Sequence, residues 1–144
     1  MKRAMAALVT LVVLFAGVTY AALELGGVAR VETQQADGSL RETHVWFVKN
    51  RRELWLEAGT PDNGWFVDVQ QTGELDLAID GRLFRYQAEI SRDPGDRKRV
   101  RGLLRQKYGW RDWWVGMFLD QESATPVLLI PVKPALIPHG KRGL

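Results

Sequence analysis

Hydrophobic and polar positions divide the chain into a charge-free apolar run near the N-terminus and a longer region of short alternating segments. Residues Ala4 to Leu23 contain no charged side chain, and Lys2 and Arg3 precede them. Twenty helical residues measure about 30 Å, which matches the hydrocarbon thickness of a bilayer. The run has no polar face, so a buried helix of a soluble domain fits it poorly. The pattern therefore predicts a membrane anchor, with residues 4–23 in contact with lipid.

A cleaved signal peptide is the alternative interpretation of the same run. Small residues at Ala21 and Ala22 offer a cleavage site, although the apolar run is longer than a usual signal core. The positive charges of Lys2 and Arg3 predict a cytoplasmic N-terminus, which sends the following domain to the extracytoplasmic side of the inner membrane. We expect three parts: an anchor or signal peptide over 1–25, a domain over 26–133 and a flexible tail over 134–144.

Beyond the apolar run, side chains alternate with a period of two, which is typical of half-buried β-strands. Asp37-Gly38 and Asp80-Gly81 each lie between two such runs and predict hairpin turns. A third turn is expected over residues 49–52. The six predicted strands are VARVETQ (28–34), LRETHVWFV (40–48), ELWLEA (53–58), ELDLAID (74–80), RLFRYQAEIS (82–91) and TPVLLIPVK (125–133).

Two segments between these strands have helical patterns. Asp93 can cap a helix that Pro94 opens and Gly109 ends, and apolar residues fall on one face of the intervening stretch. Residues 61–73 suit a short helical crossover, and the apolar WRDWWVGMFLD stretch that follows Gly109 does not suit a surface loop. The predicted fold class is mainly β within α+β: a six-stranded barrel with two or three helices, preceded by one transmembrane helix.

Composition narrows the chemistry of this barrel. The chain has no cysteine, which excludes disulfides and a cysteine nucleophile, and its two histidines, His44 and His139, argue against a multi-histidine metal site. Without Lys2 and Arg3, 18 basic residues stand against 17 acidic ones, so nucleic acid is not an expected partner. Six tryptophans indicate either a dense core or a pocket for a flat ligand. No phosphate loop, serine elbow or dinucleotide fingerprint is present.

Four motifs occur in an order that resembles a known family. They are RETHVWFV (41–48), ELWLEAGTPDNGWFVDV (53–69), GELDLAIDGRLFRYQAEI (73–90) and LLRQKYGWRDWW (103–114). Together they resemble the deazaflavin-dependent nitroreductase group of the split β-barrel flavin-binding fold, which is related to pyridoxamine phosphate oxidase-like proteins. The resemblance covers roughly residues 28–133.

The resemblance implies a membrane-anchored oxidoreductase. Such an enzyme transfers a hydride from a reduced deazaflavin of the 8-hydroxy-5-deazaflavin type, or from FMN as the alternative, to a quinone, an activated alkene or a nitro compound. Tyr108 or His44 would supply the proton. A homodimer is also implied, because split barrels of this kind are often dimers. The residues implied in cofactor binding are Arg41, Thr43, Trp46, Asn63, Gly64 and Trp65.

Arg41 and Thr43 would hold the phosphate from one face of their strand, together with the backbone N–H groups that precede Trp65. Trp46 and Trp65 would flank the ring, although a plain core role is the alternative for both.

Three departures from the family pattern leave other functions open. Many members carry a Gly-Arg-Lys-Ser-Gly turn where this chain has Ala36-Asp37-Gly38-Ser39, Asp68 stands where the family has an asparagine, and the loop before Trp65 lacks a lysine that many members carry. The missing basic residues favour a rival hypothesis, a non-catalytic anchored barrel that binds a protein or lipid partner. A second rival is the same barrel holding haem, which would have to depend on His44.

Overall fold

The computed structural model describes residues 2–24, 27–79, 81–118 and 122–132. The described helices are α1 (Lys2–Glu24), α2 (Gly64–Thr72), α3 (Pro94–Tyr108) and α4 (Trp110–Gly116). The described strands are β1 (Ala29–Gln34), β2 (Leu40–Val45), β3 (Phe47–Asn50), β4 (Glu53–Ala58), β5 (Glu74–Ile79), β6 (Arg82–Ile90) and β7 (Thr125–Pro131). The predicted tail over 134–144, with His139, lies outside the described residues.

The strands form one antiparallel sheet in the order β2-β1-β5-β6-β7-β4-β3. Its two edges, β2 and β3, follow each other directly in the chain, with only Trp46 between them. The sheet must therefore curl until its edges approach, and it forms a half-barrel in an α+β fold. The prediction of a mixed fold with a curled antiparallel sheet is confirmed.

The predicted number of six strands is wrong, because the run over 40–48 forms two strands. Val45 pairs with Ala29 of β1, whereas Phe47 pairs with Leu56 of β4. The chain changes its hydrogen-bonded partner at Trp46. Alternation of side chains cannot reveal this change, because alternation continues unaltered when a strand bends from one neighbour to the next.

The predicted hairpins are present. Gln34 pairs with Leu40 across the first turn and Ile79 with Arg82 across the second. Gly38 and Gly81 have φ of 86° and 76°, values that suit glycine. The expected third turn joins β3 to β4, where Arg51 takes a φ of 56°. β7 ends at Pro131, as predicted for a residue that cannot donate to the ladder.

Two apolar clusters hold the helices on the sheet. The first joins α2 to the sheet and includes Trp65, Val69 and Leu77. The second packs α3 against β3 and β4 and includes Val48, Leu104 and Tyr108. The two clusters therefore fix α2 and α3 independently.

The start of α3 is capped as predicted, because the Asp93 carboxylate accepts a hydrogen bond of 2.8 Å from the Gly95 N–H.

The N-terminal helix α1 is apolar and exposed. Its segment Ala4–Ala22 has a mean hydropathy of 2.2, and nearly all of it is exposed, although Ala22 at its end is buried. These properties suit a membrane span and also a signal sequence. Where α1 touches the rest of the described chain most, it packs against α4.

Candidate functional site

A polar cluster lies where β2 meets the start of α2. The Arg41 Nε donates a hydrogen bond of 2.8 Å to Asp68 Oδ2, and Arg41 Nη2 donates one of 2.7 Å to Gln35 Oε1. The Thr33 hydroxyl also donates to Asp68 Oδ2, at 2.7 Å. Thr33 lies directly opposite Arg41 in the β1–β2 register. The cluster is therefore built by the sheet on one side and by α2 on the other.

Gly64, the first residue of α2, permits the guanidinium to approach the helix. A Cβ atom at this position would lie 2.7 Å from Arg41 Nη1 and 2.8 Å from Arg41 Cζ, so a side chain would displace the arginine. Asn63 occupies the N-cap position, but its side chain makes no capping hydrogen bond. The first turn of α2 thus keeps its N–H groups free of side-chain caps, a property of helix starts that bind anions.

The charges of the cluster nearly balance. The Asp68 carboxylate is buried, with 6% of its side chain exposed, whereas the Arg41 side chain is 37% exposed. Arg41 contributes one positive charge, Asp68 one negative charge and the helix start about half a positive charge. The remaining charge of about +0.5 attracts an anion, but less strongly than an unpaired arginine would.

Thr43 and Trp65 differ in access to this cluster. Thr43 lies two residues from Arg41 on β2, where both positions are half-buried between more exposed neighbours, so the two share a face. Trp65 is 1% exposed and contacts Phe66 edge-on, with ring centroids 5.9 Å apart. Its ring fills the first apolar cluster and presents no open face to a flat ligand.

Trp46 and Tyr108 belong to the second apolar cluster rather than to the polar one. Their rings stack with centroids 4.3 Å apart. Tyr108 is 1% exposed, and its hydroxyl accepts a 3.1 Å hydrogen bond from the Phe47 N–H. Burial raises the pKa of Tyr108, so the phenol stays protonated at neutral pH. The hydroxyl of Tyr108 is therefore enclosed by backbone groups. The role of Tyr108 as proton donor stays a prediction.

His44 is exposed on the face of β2 opposite to Arg41 and Thr43. The implied site residues therefore divide among four places. Arg41, Asn63 and Gly64 meet at the start of α2, and Thr43 shares the β2 face of Arg41. Trp65 lies in the first apolar cluster, Trp46 and Tyr108 lie in the second, and His44 lies on the exposed face of β2. Their roles stay predictions.

Three residues of the cluster were absent from the sequence-derived set: Thr33, Gln35 and Asp68. Asp68 was visible as a departure from the family pattern, but its pairing with Arg41, 27 positions away, depends on the fold. The position of Thr33 opposite Arg41 depends on the register of the first hairpin, in which Gln34 pairs with Leu40, and the Asp37-Gly38 signal alone does not fix that register.

Comparisons with solved structures give the fold. A conserved hypothetical protein from Mycobacterium tuberculosis matches with a TM-score of 0.61 and 17% identity, covering 82% of this chain and 80% of that one. An F420-H2 dependent reductase matches with a TM-score of 0.57 and 13% identity, over 72% of this chain and 94% of that one. HutZ, a haem storage protein from Vibrio cholerae, gives a TM-score of 0.57 and 12% identity, over 83% and 90%.

No protein-family model and no curated protein matches the chain. At these identities the structural likeness shows the fold alone. Proteins that share this fold include reductases and a haem storage protein, so the fold is compatible with redox function without defining it.

Proposed function

We propose that the protein is a membrane-anchored oxidoreductase that binds a flavin-class cofactor at the polar cluster. The cofactor would be a reduced deazaflavin, with FMN as the alternative. The observation that carries this proposal is the guanidinium of Arg41 lying against Gly64 at the uncapped start of α2. A cation and a free helix start at one point form a suitable site for a cofactor phosphate.

The protein residues in this proposal bind and orient. Arg41 and the N–H groups of the first α2 turn hold the phosphate, and the Thr43 hydroxyl offers a further hydrogen bond from the same face. Asp68 holds the Arg41 guanidinium in place, and its negative charge offsets part of the attraction of the guanidinium for the phosphate. The bound cofactor would supply the hydride, which passes to an acceptor such as a quinone, an activated alkene or a nitro compound.

Membrane attachment through α1 belongs to the same proposal. The exposed apolar segment Ala4–Ala22 supports an anchor in the inner membrane, and the basic residues before it support an extracytoplasmic domain. A domain held at the bilayer surface would meet lipid-soluble acceptors at high local concentration. This favours a quinone among the three acceptor classes.

A cofactor-free barrel that binds a partner is the second candidate function. The Arg41–Asp68 ion pair supports it, because the arginine already has an anionic partner inside the chain. The burial of Trp65 supports it as well, since a ring-stacking residue needs an open face.

Fluorescence titration of the detergent-solubilised full chain with reduced or oxidised deazaflavin, and separately with FMN, tests the proposal. Arg41→Ala should weaken binding about tenfold to a hundredfold, because a charge-assisted hydrogen bond contributes roughly 1.5–3 kcal/mol. Arg41→Lys should recover only part of the loss. Arg41→Ala leaves the buried Asp68 carboxylate without its arginine. The double variant Arg41→Gln with Asp68→Asn therefore removes the guanidinium and the carboxylate charge together.

Arg30→Ala is the matched control. Arg30 lies on β1, with its side chain 43% exposed and paired with Glu32 and Glu42, so its loss removes an equal charge outside the cluster. Equal affinity of wild type and the double variant would remove Arg41 from the site. Failure of the wild type to bind either cofactor would favour the partner-binding barrel.

A further inference from the structure

The short helix α4 and the turn that follows it, Met117 and Phe118, expose an unusual amount of apolar surface. Trp110 is 51% exposed, Trp113 66%, Met117 49% and Phe118 60%. Trp110, Trp113 and Met117 recur at intervals of three and four residues, so they share one side of the helix. We call these four residues the Trp face. A patch of this kind on a folded domain marks a surface for another apolar phase.

The Trp face is continuous with the apolar surface of α1. Phe15 of α1 lies 5.6 Å from both Trp114 and Phe118, measured between ring centroids. The Trp114 Nε1 donates a hydrogen bond of 3.2 Å to the Thr19 hydroxyl. α4 therefore packs on the second half of α1, and any phase that surrounds α1 also reaches the Trp face.

The length of α1 determines which phase this is. The apolar part of α1 before the α4 contact runs over residues 4–14 and measures about 17 Å, whereas a bilayer core measures about 30 Å. If α1 spans the membrane, the remaining length of about 13 Å must come from the part that α4 covers. α4 must then lie about 5–10 Å below the outer headgroup boundary, the depth at which interfacial helices sit.

The polar side of α4 faces the domain. Asp112, with 3% of its side chain exposed, accepts a hydrogen bond from Arg101, which also pairs with Glu57 of β4. Arg105 of α3 is 70% exposed beside Asp112, and the Arg111 guanidinium lies 5.3 Å from the Trp110 ring centroid. Tryptophan flanked by arginine suits the headgroup level of a bilayer, where lipid phosphates lie.

We propose that α4 is an interfacial helix that inserts the Trp face into the lipid beside α1. The buried ion pairs of Asp112 hold α4 rigidly on the domain, so insertion fixes the orientation of the whole barrel relative to the membrane. This inference depends on α1 being a membrane helix and is independent of any cofactor.

The test is tryptophan fluorescence of the full chain in phosphatidylcholine–phosphatidylglycerol vesicles that contain acyl-chain-brominated lipid. Because bromine quenches only nearby rings, wild-type emission should fall relative to unbrominated vesicles. The double variant Trp110→Phe with Trp113→Phe should lose a large part of this quenching, and the remainder should come from Trp114, which packs against α1. Trp55→Phe, which removes a tryptophan that is 2% exposed in the core, should keep it.

α1 keeps every variant in the membrane, so the quenching reports on α4 and not on attachment. Absence of quenching in the wild type would overturn the proposal, as would undiminished quenching in the double variant. If chemical cross-linking at position 113 instead joins two copies of the chain in vesicles without brominated lipid, the Trp face is a dimer interface and the proposal is wrong.

Discussion

The substitution Asp68→Asn probes the polar cluster most sharply. It introduces the asparagine found at this position in the family that the sequence resembles, and it keeps the number of side-chain heavy atoms. Asp68 accepts hydrogen bonds from Arg41 and Thr33 on a single oxygen. An asparagine oxygen can still accept both bonds, but the negative charge beside the guanidinium is lost. The cluster then carries about +1.5 charges instead of about +0.5.

The magnitude follows from the geometry of the ion pair. A phosphate held by the guanidinium would lie on the order of 6 Å from the Asp68 carboxylate, on the far side of Arg41. With an effective dielectric constant of about 40 for this half-exposed site, the repulsion is about 1.4 kcal/mol per phosphate charge. Asp68→Asn should therefore tighten binding of deazaflavin or FMN about tenfold for each negative charge on the bound phosphate.

The same substitution should reduce stability, because the Arg41 hydrogen bond loses its anionic acceptor and the Thr33 hydrogen bond becomes a neutral one. We expect the free energy of unfolding to fall by about 1–2 kcal/mol, measured by urea denaturation. Tighter cofactor binding by a less stable protein is the signature of a residue that competes with the ligand.

Asp76→Asn is the matched control for this substitution. Asp76 pairs with Arg85 on the β5–β6 hairpin, and its replacement removes the same charge with the same change of atoms. Its cofactor affinity should equal that of the wild type. If Asp68→Asn binds no more tightly than Asp76→Asn, the anion does not sit at Arg41 and the reasoning fails.

Three further predictions follow from other parts of the chain. Arg101→Met should lower the free energy of unfolding by about 3–5 kcal/mol at pH 7 in urea titrations, because it removes the arginine that pairs with the buried carboxylate of Glu57 and leaves Asp112 with Arg105 but without Arg101. Burial raises the pKa of Glu57, so acidification should restore part of the free energy of unfolding that Arg101→Met loses. If acidification restores none of it, Glu57 is not the carboxylate that Arg101 neutralises. Burial also lowers the pKa of Lys107 from 10.5 to about 8. In the unfolded chain Lys107 therefore keeps its proton to a higher pH than in the folded protein. The free energy of unfolding should rise between pH 8 and 10.5 in the wild type, and it should rise less in Lys107→Met. Protease added outside the inner membrane should digest the domain while α1 stays attached, and a mature N-terminus near Ala22 would refute the anchor.

Local sequence signals predicted the elements whose ends are set locally. The Asp37-Gly38 dipeptide predicted the first hairpin, and Asp93 with Pro94 predicted the start of α3. In each case the deciding hydrogen bond or backbone angle lies within a few residues of the signal. The amphipathic pattern also identified the buried face of α3, where Val100 and Leu104 are fully buried.

Features that depend on distant pairing could not be predicted in this way. The change of strand partner at Trp46 depends on how far the sheet curls. The stacking of Trp46 on Tyr108 depends on where α3 crosses β3, and the sequence therefore favoured a core role for Trp46 but left a ring-stacking role open. The ion pair of Arg41 with Asp68 needs β2 and α2 to meet, which only the complete fold defines.

Phosphorus-31 NMR of the cofactor phosphate tests the central claim most directly, because it observes the group that Arg41 is proposed to hold. The full chain in detergent is titrated into FMN and, separately, into the deazaflavin, with ring fluorescence recorded on the same samples. We predict that the phosphorus signal of at least one cofactor shifts on binding, shifts further in Asp68→Asn and returns to the free position in Arg41→Gln with Asp68→Asn. Ring binding without any change at phosphorus, or no binding of either cofactor, would contradict the account.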